Sequence, residues 1–167
     1  MNTKLSNQNC HIAYATAIGF GFDVLSPVPS LIVAIGDDHT IVGVVTRFGV
    51  LDQMSIELGK RDIAHNLNPS SAKKAMEVIA SMTSCILARI PCEAANAIAE
   101  TGSIGMAGAG DATIPLCHIV EDKTSLKIYT EPDLDSLLSR GNSVIWTHKC
   151  NLPFVRKCFL GKIVYNN

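Results

Sequence analysis

Two short runs of apolar, largely β-branched residues, Leu31–Gly36 (LIVAIG) and Thr40–Arg47 (TIVGVVTR), are separated only by Asp37, Asp38 and His39. β-branched side chains fit a pleated surface better than a helix, and a three-residue polar break leaves an antiparallel return as the simplest connection. The pair predicts a β-hairpin, so the fold must contain a sheet. Asp37, Asp38 and His39 then read as the polar tip of that hairpin rather than as metal ligands.

Other segments are placed around this hairpin. Residues 10–18 (CHIAYATAI) alternate small and large side chains and read as a first strand, closed by Gly19 and Gly21. Pro27 and Pro29 keep the next stretch extended. Residues 51–67 carry apolar positions at Leu51, Met54, Leu58 and Ile63 and read as an amphipathic helix weakened by Gly59. Asn68 followed by Pro69 is a helix start, with the asparagine as N-cap and the proline at the first helical position. Ala72, Ala75, Met76, Ile79, Met82, Thr83 and Ile86 follow at spacings of three and four, predicting one long helix to about Arg89. Pro91 restarts a shorter helix that ends at Gly102.

Further on, residues 114–121 and 125–130 read as two paired strands, residues 133–139 as a short helix stopped by Gly141 and Asn142, and residues 143–147 and 159–165 as the last strands. Strands first with helices grouped in the middle favour an α+β fold, a mixed or largely antiparallel sheet packed against two or three helices. With 167 residues, no repeats and no long linker, residues 1–167 are expected to form a single compact domain.

Hydrophobic residues make up 47% of the chain and charged residues 17%, yet no apolar run reaches the roughly 18 residues of a membrane span. The apolar surplus is therefore expected to be shared between a core and a homo-oligomer interface. A net charge of −1 argues against a nucleic-acid surface. The polar N-terminus MNTKLSNQNC lacks the apolar region of a signal peptide, which reads as cytoplasmic. The six cysteines lack paired zinc-type or redox spacings and default to free thiols.

Residues 101–118 (TGSIGMAGAGDATIPLCH) gather four of the twelve glycines with an aspartate, a cysteine and a histidine. Such a turn can present backbone N–H groups to an anion, here through Gly105, Gly108 and Gly110, with Thr113 adding a hydroxyl. Asp111 and His118 are the acid/base candidates. Past Asp135 the chain carries Arg140, Lys149, Arg156, Lys157 and Lys162 and no acidic residue, and Lys149 or Arg156 could neutralise the ligand's charge. On the element order above, this loop follows a helix and precedes a strand, the reverse of ordinary phosphate loops. Cys117 or His118 with His148 and Cys150 could hold zinc, and Cys117 with His148 could form a nucleophile pair, although neither has a familiar spacing. No motif identifies a cofactor, and no metal site is assigned.

Three short likenesses accompany this loop. Gly108–Ala112 (GAGDA) resembles the signature of ribokinase-like sugar kinases, which implies Asp111 as a base, but this chain is about half the length of such kinases. Residues 114–118 (IPLCH) resemble a run in cyclic pyranopterin monophosphate synthases and point to His118. Residues 19–25 (GFGFDVL) resemble the GPGFDVL of homoserine-kinase-like enzymes. Each spans five to seven residues, and they agree on no family. The functional expectation is a small-molecule enzyme acting on an anionic, phosphorylated or carboxylated metabolite. A ligand-binding sensor or regulatory domain without catalysis is the alternative, and a structural oligomer the third reading.

Overall fold

The computed structural model describes residues 3–64 and 68–147. The predicted hairpin is present: β1 (Ser30–Ile35) pairs antiparallel with β2 (Thr40–Thr46), and Ile35 lies opposite Thr40. Both strands are almost wholly buried because both faces of the sheet are covered. Leu31, Val33 and Ile35 point into one core, and Ile32 and Ala34 into the other.

The sheet has five strands in the order β3-β2-β1-β4-β5, where β3 is Gly49–Ile56, β4 Ile104–Ala107 and β5 Tyr129–Glu131. β3 is antiparallel to β2, whereas β4 runs parallel to β1 and β5 parallel to β4. The mixed sheet of an α+β fold is thus as expected.

Helices cover both faces. On one side α3 (Pro69–Arg89) packs beside α5 (Thr113–Thr124), with Ile98 of α4 (Cys92–Thr101) in the same core. On the other, α1 (Thr3–Gly19) packs against α6 (Leu134–Thr147). α3 matches its expected pattern closely. The Asn68 side chain accepts hydrogen bonds from the backbone N–H groups of Ser70 and Ser71, Pro69 opens the first turn, and all seven expected positions are buried. α4 ends as expected, at Gly102 with φ 65°.

Four segments depart from expectation. Residues 10–18 are helical, not a strand. Ala13, Tyr14, Ala15, Thr16 and Ala17 are all buried because α1 is enclosed between the sheet and α6, so its small residues show no helical stripe. Alanine favours the helix intrinsically, and Thr16 satisfies its hydroxyl on the Ile12 carbonyl at 2.7 Å. Residues 51–56 belong to β3, where strand pairing with β2 overrides the weak helical pattern, and only Lys60–Ile63 form a short helix, α2. Residues 65–67, at the end of the expected helix, lie outside the described residues.

Residues 114–121 are helical rather than extended. In α5 Pro115 falls in the first turn, where its missing N–H has no intrahelical partner to lose. Thr113, Leu116 and Val120 make the buried face, and Leu116 and Val120 each contribute roughly 1.5–3 kcal/mol of apolar burial. α6 continues through Gly141 and Asn142 to Thr147, so residues 143–147 are helix as well. A Cβ at Gly141 would lie 1.9 Å from the Ala15 carbonyl oxygen, so glycine is required there for contact with α1, not as a helix stop. The expected strand 159–165 lies outside the described residues.

Candidate functional site

β1 and β4 are neighbouring parallel strands whose connections leave in opposite directions. From Ile35 the chain turns to β2 on one side, and from Ala107 it passes through a 3-10 turn (Gly110–Ala112) into α5 and on to β5 on the other. Such a divergence opens a crevice at the carboxyl ends of the strands, the usual ligand position in sheets of this kind. The glycine loop therefore runs from strand to helix, and the expectation of a helix-to-strand loop is corrected. The error followed from reading α5 as a strand. In the direction found, α5 begins at the loop, so the positive end of its dipole lies there, although its first N–H, that of Thr113, is bonded to the Gly110 carbonyl.

Three segments meet at this crevice. The β1–β2 turn closes with Gly36 N–H donating to the His39 carbonyl at 2.8 Å. The start of α2 is tied to that turn, because Lys60 N–H donates to the Gly36 carbonyl at 2.8 Å and Arg61 N–H to the Asp37 carbonyl at 3.2 Å. The glycine loop approaches from β4. Gly108, at φ 94°, sits so close that a Cβ would lie 2.0 Å from the Ile35 carbonyl oxygen. Gly110, at φ 55°, lies beneath Lys60: a Cβ there would be 2.8 Å from the lysine Cε and 3.5 Å from Nζ. Both glycines combine a left-handed backbone with a close approach, so no other residue fits without movement.

The expected site residues fare differently. The N–H groups of Gly108 and Gly110 donate to the Glu131 and Pro132 carbonyls at 2.9 and 3.1 Å, so they anchor the loop to the β5–α6 connection. The Thr113 hydroxyl donates to the Gly110 carbonyl at 2.7 Å and braces the turn from within. Gly105 lies in β4 beneath an aromatic ring, where a Cβ would meet Phe20 at 2.4 Å; its role is packing. Asp111 is exposed in the 3-10 turn.

His118 is also exposed, seven residues further along α5, which places it about 10 Å from Asp111 along the helix axis. The two are not brought together on one small ligand. Lys149 and Arg156 lie outside the described residues, as do His148 and Cys150.

Cys117 is a helix residue, half-buried against the core. Burial raises its thiol pKa above the ordinary value, and the nearby Glu121 charge and hydrogen bond raise it further. It stays protonated at neutral pH, which removes the activated thiolate that a nucleophile needs. Among the described residues, no group of three or more His, Cys, Asp or Glu side chains is arranged to hold a metal ion.

Lys60 is the residue that sequence reading missed. It is exposed, yet its side chain crosses from the β1–β2 turn to Gly110. No local signal marks it, because the contact joins positions fifty residues apart. Arg61 beside it pairs with Asp38 at 2.7 Å, both side chains about 70% exposed, an arrangement of little energetic weight.

No protein-family model matches the sequence, and no curated protein matches it. Among solved structures, the chain is similar to MreB5 of Spiroplasma citri bound to ADP, with 15% identity and a TM-score of 0.68 over 80% of this chain and 58% of that one. The same protein bound to AMPPNP gives 18% identity and a TM-score of 0.63, over 85% and 60% of the two chains. The ethanolamine utilization protein EutJ from Carboxydothermus hydrogenoformans gives 10% identity and a TM-score of 0.53, over 78% and 52%. The chain thus spans less than two thirds of the length of these structures. At such identities the likeness is one of fold alone: a mixed five-stranded sheet with helices on both faces.

Proposed function

We propose that this chain binds a phosphate-bearing anion of the nucleotide class at the carboxyl ends of β1 and β4. The observation that carries the reading is the strand-to-helix passage from β4 through Gly108 and Gly110 into α5, beside the β1–β2 turn. The fold adds support, since MreB5 was solved bound to ADP and to AMPPNP. Gly108 and Gly110 shape the crevice, while Asp111 at its rim is the polar group positioned to act as a base or to hold a metal-bound water. The three segments carry the carboxylates of Asp37, Asp38, Asp62 and Asp111 and the cations Lys60 and Arg61, with Arg61 paired to Asp38 and Asp62 accepting from the Gly59 N–H. A phosphate chain entering such an acidic rim is best accommodated together with a divalent cation, bound through one or two carboxylates and the phosphates.

The separation of Asp111 from His118 favours binding over concerted acid/base chemistry by that pair. A sensor or regulatory role is therefore the leading version of the reading, and turnover of an anionic metabolite the second. Self-association remains part of the proposal, supported by the exposed side chains of Phe48, Ile114 and Tyr129.

A thermal-shift series with ADP, AMPPNP and pyrophosphate, each with and without magnesium, tests the reading. At ligand concentrations near a hundred times Kd, binding to the folded state alone adds about 2.7 kcal/mol, or roughly 5–10 °C in Tm for a chain of this size. The expected result is such a shift, larger with magnesium. The absence of any shift with all three ligands would remove the proposal.

A further inference from the structure

Within the crevice, Lys60 is fixed at its backbone and extends its side chain towards the glycine loop. Its backbone N–H is bonded to the Gly36 carbonyl, which fixes its Cα beside the β1–β2 turn. Its stem then runs over Gly110, where a Cβ would press on Cε at 2.8 Å. The described ion pairs join Arg61 to Asp38, Arg89 to Asp52 and Arg140 to Glu131, and none of them engages Lys60. Of the two adjacent cations at the start of α2, one is thus tied to the hairpin tip while the other reaches across to the glycine loop.

We infer that Lys60 is the residue through which the crevice binds the phosphate group of its ligand. The inference rests on the proposed function, which it deepens by assigning the cationic contact to α2 rather than to Lys149 or Arg156 of the basic tail. The chemistry suits the placement. An ammonium group is a compact charge with three donors on a flexible stem, able to follow phosphate oxygens without the planar geometry that arginine imposes. Gly110 serves this contact by lacking a side chain, so the glycine and the lysine act as one unit.

The test is equilibrium binding of pyrophosphate and of ADP, with magnesium, to the full chain and to Lys60→Met, Lys60→Arg and Arg61→Met. Both positions are exposed at α2, and the three variants are expected to fold. Loss of a charge-assisted contact should weaken binding of both ligands about ten- to hundred-fold in Lys60→Met, with partial recovery in Lys60→Arg and a change below about three-fold in Arg61→Met. If the unaltered chain binds neither ligand, the proposed function itself fails and the assignment of Lys60 falls with it. If the unaltered chain binds but Lys60→Met binds equally well, the assignment alone is overturned. Equal weakening in Lys60→Met and Arg61→Met would also overturn it, because that result describes a general charge effect rather than a contact.

Discussion

The contact of α1 with α6 and the crevice at the ends of β1 and β4 are both built on glycines, and they differ in what stands opposite the missing Cβ. At Gly141 the neighbour is the Ala15 carbonyl oxygen, 1.9 Å from where a Cβ would lie, in the middle of a packed helix pair. At Gly110 the neighbour is the far end of the Lys60 side chain, which can move. Gly108 is of the first kind, set against the Ile35 carbonyl, although it belongs to the crevice. Glycine alone therefore does not mark a site. A glycine facing rigid backbone serves packing, and one facing a mobile charged side chain leaves room for that side chain to cross.

Substitution by alanine breaks this comparison directly. Gly141→Ala should have the largest effect, because neither helix can yield without disturbing the other. A loss of about 3 kcal/mol, or roughly 10 °C in Tm, is expected by thermal or urea unfolding. Gly110→Ala should cost only about 1–2 kcal/mol, mostly from the left-handed backbone, yet should weaken phosphate binding by displacing Lys60. Equal losses of stability at the two positions, with binding untouched at Gly110, would erase the distinction.

A smaller effect concerns the helix that follows the loop. Burial, and then Glu121, raise the Cys117 thiol pKa, so the folded state holds that proton more tightly than the unfolded chain does. Stability from this source is present below the unfolded thiol pKa and is lost as pH rises above it. Alkylation at pH 8 should accordingly be slower at Cys117 than at the exposed Cys85 and Cys92. Faster labelling at Cys117 would mean that α5 does not keep this thiol against the core.

The same contrast explains what could be read from the residues alone. The β1–β2 hairpin, the Asn68–Pro69 start of α3 and the Gly102 end of α4 are specified by neighbours in sequence: β-branched runs, a cap and a left-handed glycine. The mixed sheet follows from them. α1, β3 and α5 are specified by what lies on them in space. Ala13 to Ala17 look like a strand because the helix is enclosed all round, and Ile114 to Val120 look like a strand because β-branched residues and Pro115 hide a buried Thr113–Leu116–Val120 face. That last misreading reversed the direction of the glycine loop. The loop itself, and Asp111 at its rim, stood out in composition; Lys60 did not, since its significance lies wholly in a contact with Gly110.

The most direct test of the site is an amide chemical-shift titration of the isotopically labelled chain with ADP and magnesium. The account predicts that the largest changes fall on Gly36 to His39, Lys60 and Ala109 to Thr113, while Gly19 and Gly141 at the α1–α6 contact stay still. Changes centred on His118, or on the α1–α6 contact with the β1 and β4 loops unmoved, would contradict it.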